Sequence, residues 1–148
     1  MKNDNRVAEV SINYLPKKFT SKLKINTSQD AHKAFRSHWS DDLYYREQMY
    51  ILLLNRANMV LGISHLGSGT TAGVLVEIKM IMQLVIKANA SSIAVAHNHP
   101  SENKKASRQD IELTNKLKEA CKLMDIQLLD HLILCGEDYY SFADQGLL

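Results

Sequence analysis

Cysteine is almost missing from this 148-residue chain: Cys121 and Cys135 are too far apart for a Cys-x-x-Cys clip and too few for a disulfide framework. They read as buried free thiols in a reducing cytoplasm. Proline and glycine are scarce as well, with two and six residues, and no tract is biased or repetitive enough to suggest disorder or a repeat array. A bilayer-spanning run is absent, because the most apolar segment, 74–86, is interrupted by Glu77, Lys79 and Gln83. Nor does an apolar stretch follow Met1-Lys2-Asn3-Asp4-Asn5-Arg6, so no secretory signal is expected and the chain reads as soluble and cytoplasmic, with no membrane partner. Excess charge of one sign is missing too: 18 Lys and Arg face 16 Asp and Glu, which does not argue for a nucleic-acid binder. Basic residues do crowd the first 24 positions, and Lys104, Lys105 and Arg108 cluster later. Both groups read as solvated faces rather than as a phosphate track.

What is present is the composition of one globular domain, large enough to bury roughly two-thirds of its unfolded surface. Val7, Val10, Ile12 and Tyr14 suggest a first, irregular strand, and Thr27-x-x-Asp30 caps a short helix through Ala34, Phe35 and His38. Met49 to Leu54 and Met59 to Ile63 are apolar runs joined by Asn55-Arg56-Ala57-Asn58, a hairpin expected at the centre of a sheet. Gly67-Ser68-Gly69-Thr70 is expected to be a loop, its spacing fitting no phosphate-binding fingerprint. Polar Lys79, Gln83 and Lys87 share one face of a helix expected over 71–89, which should be buried on most sides, in the core or against a second copy in a homodimer. A short strand, 93–96, ends at two histidines. A helix over 107–124 follows, its inner face assigned to Ile111, Leu117, Ala120, Cys121 and Met124, and strands 126–135 and 139–142 close the pattern. The order β-α-β-β-α-β-α-β-β predicts an α/β class: a single domain with a mixed sheet sandwiched by helices.

The chemistry is concentrated in His97-Asn98-His99-Pro100 and the Ser107-x-x-Asp110 behind it. In extended chain, residues i and i+2 project from one face, so His97 and His99 can aim at one point, and Asp110, one turn into the next helix, can add an oxygen. Two imidazoles and one carboxylate leave a fourth tetrahedral position open for water, the mark of a catalytic zinc (Zn2+) site. Each half has a plainer explanation. Ser-x-x-Asp is also a capping box, and histidines beside a turn are common; the register between the halves is what carries the metal reading. A hydrolytic site also needs a proton acceptor beside the water. Glu47, just before the 49–54 strand, is a candidate, and the residues alone do not separate it from Glu77 or Glu102.

The phrases His97-Asn98-His99-Pro100-Ser101, Ser107-Arg108-Gln109-Asp110-Ile111, Asp130-His131-Leu132-Ile133, Tyr140-Ser141-Phe142 with Gly146-Leu147, and Arg46-Glu47-Gln48-Met49 resemble the RadC-type proteins of the JAMM/MPN metallopeptidase superfamily. The resemblance covers residues from about 40 to the C-terminus. It implies an MPN/JAB-like domain over 41–148 with cytidine-deaminase-like layering, and leaves 1–40 as a strand and helix extension packed on it. It further implies that His97, His99 and Asp110 are zinc ligands, that Glu47 is the acid–base residue, and that Ser107 stabilises an oxyanion. Members with this full set hydrolyse peptide or isopeptide bonds, so a protein or peptide substrate is expected. The RadC name adds a link to DNA repair that these residues do not explain.

Some positions depart from the family pattern. Glu102 stands where Gly is usual, Ala106 where Pro is usual, and Val76-Glu77 where Pro-Arg is usual. Full-length members carry an upstream helix-hairpin-helix module; the segment before residue 40 has none of the Gly-rich hairpins it needs, so DNA binding by that route is not expected. His131, amid Leu129, Leu132 and Ile133, is either a residue orienting a ligand or a hydrogen-bonded core histidine. Two other functions compete with the zinc hydrolase: a non-catalytic protein-interaction module, and a metal-dependent nuclease using the same ligands. The near-even charge weighs against the nuclease.

Overall fold

The computed structural model describes residues 23–39, 41–69 and 75–148. The strand expected around 7–14 lies outside them, as do residues 71–74 of the expected second helix. Among the described residues three helices, α1 (Ser28–His38), α2 (Ile78–Lys87) and α3 (Arg108–Leu123), accompany five strands: β1 (Gln48–Leu54), β2 (Val60–Ser68), β3 (Ser92–Asn98), β4 (Gln127–Cys135) and β5 (Asp138–Ser141). A short 3-10 turn, Asp41–Tyr44, leads into β1. Among the described residues no helix is long and apolar enough to cross a membrane.

The strands lie in the order β2-β1-β3-β4-β5, with β3 and β4 parallel and every other pair antiparallel. The mixed sheet is covered by helices on both faces, as the α/β reading expects. Alternation along each strand makes the two layers. Leu52, Leu54, Ala94, Ala96, Leu132 and Leu134 pack against Ala31, Ala34 and Phe35 of α1. Met49, Ile51, Leu53, Ile93 and Val95 meet Ile81 and Val85 of α2, and Leu117 and Cys121 of α3, on the other side. β3 is buried along its whole length, which explains why its run Ile93-Ala94-Val95-Ala96 has no polar alternation.

Local signals account for the helix starts. Thr27 caps α1 through a reciprocal box, its hydroxyl accepting from the Asp30 amide while the Asp30 carboxylate accepts from the Thr27 amide. Ser107 and Asp110 do the same for α3.

Several expectations need correction. Among the described strands the β1–β2 hairpin is not central, because β2 stands at one end of the order and β3 in the middle. Strand hydrophobicity reports burial of the faces, and β1 is buried on both without being the central strand. Gly67 and Ser68 belong to β2, paired with Met49 and Gln48, rather than to a loop. α2 begins only at Ile78, after the non-helical residues 75–77. The buried stripe of α3 is Asp110, Thr114, Leu117 and Cys121, whereas Ile111 and Met124 are exposed. The stripe is rotated because two polar residues take seats that hydrophobicity assigns to apolar ones.

Phe35 is fully buried between α1 and the sheet. Replacing it with alanine is expected to cost about 3–5 kcal/mol in urea unfolding. A loss below about 1 kcal/mol would show that α1 is not part of the cooperative core.

Candidate metal centre

His97 stands next to last in β3 and His99 lies one residue past its end, so the pleat sends both side chains to the α2–α3 face. The parallel partner β4 requires a crossover, and α3 supplies it. Its first turn therefore returns over the end of β3, carrying Asp110 to the two imidazoles. The Nε2 atoms of His97 and His99 lie 3.0 Å apart. Asp110 Oδ1 is 3.1 Å from His97 Nε2, and Oδ2 is 3.4 Å from His99 Nε2. β1 runs antiparallel to β3 with Met49 opposite His97, which sets Glu47 beside the same point. Ligand atoms of Glu47, His97, His99 and Asp110 all fall within 4.8 Å of one another. The structure thus brings Glu47 together with the three residues expected to hold the ion.

The donor set fits a zinc-sized cation. Nitrogen and oxygen ligands about 2.0–2.2 Å from a tetrahedral zinc are about 3.3–3.6 Å from each other, close to the spacing of these three side chains. Two imidazole nitrogens and a carboxylate oxygen packed this closely need positive charge between them, from protons or from a metal ion.

Each member is held from behind. His99 Nδ1 donates to the Asn103 carbonyl at 2.6 Å, leaving Nε2 facing the centre. His97 Nδ1 lies 2.8 Å from Nε2 of the fully buried His131. Asn98, between the two histidines and fully buried, points its amide at the chain leading into β1. Its Nδ2 donates to the carbonyls of Leu43 and Arg46, and its Oδ1 accepts from the Gln48 amide at 2.7 Å. The residues on both sides of Glu47 are therefore pinned to the strand that carries the histidines.

Electrostatics follow from these contacts. Burial works to raise the Asp110 carboxyl, but the His97 and His99 imidazoles beside it outweigh burial and hold the group far below the carboxylate range. The hydrogen bond to Asp110 raises His99 above its ordinary 6.5, against the opposing effect of burial. Burial, then the charge of His97, pushes His131 well down.

A family model for the RadC-like JAB domain matches residues 25–147. The chain belongs to that family. It is 33% identical over 124 residues to a UPF0758 protein of Flavobacterium johnsoniae, covering 84% of this chain and 53% of that one. A UPF0758 protein of Porphyromonas gingivalis is 40% identical over 105 residues, 70% of this chain and 46% of its own length. One from Clostridium botulinum is 35% identical over 144 residues, 96% and 61% of the two chains. The chain thus spans about half the length of the curated relatives it matches.

In this RadC-like domain the centre lies where two grooves meet. One, of about 880 Å³, runs past the apolar Met49, Leu75, Val76, Ile78 and Leu113. The other, of about 770 Å³, passes Tyr45, Pro100 and Lys105. Glu47, His99 and Ser107 line both. Glu102, in the loop beyond His99, holds φ at 60°, the region glycine fills without strain and the residue type usual there in the family. Sequence reasoning assigned no role to Asn98 or Thr114, and left His131 between two readings. The available signal for Asn98 was a polar residue alternating with the histidines inside an otherwise apolar strand.

Metal and proton compete at His99. A raised imidazole value means that the metal-free fold is stabilised by the His99 proton below 6.5 and loses that contribution as pH rises through the raised value. A metal ion must displace that proton, so affinity is expected to climb with pH up to the raised His99 value, by about tenfold per unit for one proton released. Chelator competition across mildly acidic to neutral pH checks this; a flat affinity would count against His99 as a ligand.

Proposed function

We propose that this domain is a zinc-dependent hydrolase of amide bonds, a peptidase or isopeptidase acting on protein chains. The observation that carries the reading is the Glu47 carboxylate beside an N,N,O donor set, all within 4.8 Å. His97, His99 and Asp110 would hold the ion. When bound, zinc supplies Lewis acidity and lowers the pKa of an attacking water to about 7. Glu47 accepts the proton of that water and returns it to the leaving amine. Ser107 has a second task besides capping. Its oxygen accepts from the Asp110 amide, so the hydroxyl proton stays available to donate to the oxyanion of a tetrahedral intermediate.

The two grooves support a chain-like substrate, since an extended polypeptide can occupy both with its scissile bond at their junction. Among the basic residues flanking the site, Lys104 pairs with Asp138 and Arg108 with Glu112. Cations already engaged by carboxylates favour a protein substrate over a polyanion.

Protein purified without chelator is expected to carry one zinc per chain. Glu47→Gln should keep the metal and lose activity by about 10²–10⁴-fold on a peptide library scored for new termini. Absence of stoichiometric metal in the wild type sinks the hydrolase reading, and undiminished cleavage by the variant removes Glu47 from it.

Ser107 offers a separation of its two roles. Ser107→Ala should cost about 1 kcal/mol of stability and also lower the turnover rate, whereas Ser107→Gly should recover most of the stability and none of the rate. If Ser107→Gly turns over at the wild-type rate, the oxyanion role is wrong.

A further inference from the structure

Behind the centre, a chain of hydrogen bonds leaves the two ligand-bearing elements and closes on itself. His97 Nδ1 lies 2.8 Å from His131 Nε2, and His131 Nδ1 lies 2.6 Å from Thr114 Oγ1. Thr114 Oγ1 in turn lies 2.6 Å from the backbone carbonyl of Asp110. The ring runs from one ligand on β3, through β4, to the backbone of another ligand on α3. His131 and Thr114 are 0% and 1% exposed, so water offers neither of them an alternative partner. Phe142 stacks on the His131 imidazole with an interplanar angle of 9°, which fixes the ring's plane.

The direction of every proton in this chain is set by its last member, because a carbonyl oxygen can only accept. The Thr114 hydroxyl proton must therefore go to the Asp110 carbonyl. Its oxygen then accepts from His131 Nδ1–H, which leaves His131 Nε2 bare. A bare Nε2 accepts from His97 Nδ1–H, and the lone pair of His97 Nε2 is left aimed at Asp110 and His99. The reverse order would put a proton on His131 Nε2, require a bare His97 Nδ1, and turn an N–H toward the metal position.

We propose that Thr114 and His131 are positioning residues that lock His97 in its metal-binding tautomer, with the Asp110 carbonyl setting the sense of the whole relay. This rests on the zinc reading for its purpose and not for its geometry, and neither residue touches substrate or ion. A hydrogen-bonded partner on the far nitrogen also makes the ligand a better donor, and loss of such partners typically weakens metal affinity about 10–100-fold.

Two measurements test it. First, ¹⁵N NMR of the metal-free protein reads the His131 ring directly: the expected tautomer carries its proton on Nδ1, and a proton on Nε2 overturns the proposal whether or not zinc binds. Second, zinc affinity by chelator competition compares the wild type with Thr114→Val, Thr114→Ser and His131→Phe. Thr114→Val and His131→Phe are expected to lose about 10–100-fold, with Thr114→Ser close to wild type because it keeps the hydroxyl. Circular dichroism establishes that each variant folds; if His131→Phe does not, the Val and Ser pair decides. Equal affinity in Thr114→Val and Thr114→Ser overturns the proposal, whereas failure of the wild type itself to bind zinc defeats the metal reading and leaves the NMR result to judge the relay.

Discussion

The antiparallel pairing of β1 with β3 is the constraint on which the centre depends. Met49 opposite His97 fixes where the chain before β1 must lie, and Asn98 then secures that chain through Leu43, Arg46 and Gln48. Without this register the Glu47 carboxylate and the histidines would share a fold but not a point in space. The pairing is itself enforced by burial, since a slip of one residue would turn Met49, Ile51 and Leu53 from one core layer into the other.

The parallel pairing of β3 with β4 does the corresponding work for Asp110. A parallel connection must cross the sheet, and the start of the crossing helix necessarily falls at the end of the strand it leaves. The same capping box that begins α3 therefore orients the carboxylate: Oδ2 accepts from the Ser107 amide, which leaves Oδ1 facing His97. Structural and chemical uses of Ser107 and Asp110 are compatible because a hydroxyl can accept and donate at once and because the cap leaves Oδ1 of the carboxylate free of it. Behind them, buried polar groups are tolerated only because each has a partner: Asn98, His131 and Thr114 all make hydrogen bonds within the protein.

Much of this was legible before the fold was known. The His-x-His spacing and its register to Ser107 and Asp110 announced a shared site, because the pleat and the helix cap are local geometry. Thr27-x-x-Asp30 announced α1 for the same reason. Glu47 was different: local reasoning left it level with Glu77 and Glu102, and only resemblance to a known family picked it out. The order of the described strands and the rotation of α3's buried stripe were misjudged, since hydrophobicity alone says neither which strand neighbours which nor that Thr114 displaces Ile111 from the interior. His131 read more readily as a core histidine than as one orienting a ligand, and the structure shows that it is both buried and tied to a candidate ligand.

The sequence by itself determined the class of fold, the helix caps and a motif able to converge on a cation, all of which follow from interactions among residues a few positions apart. Tertiary structure decided which glutamate joins that motif, which strand is central and what stands behind His97. Those outcomes depend on contacts between residues far apart in the chain, such as His97 with His131, 34 positions apart, and Asn98 with Arg46, 52 positions apart. Chain separation of that size carries no local signal; it is the burial of both sheet faces that selects one register and so brings such residues together.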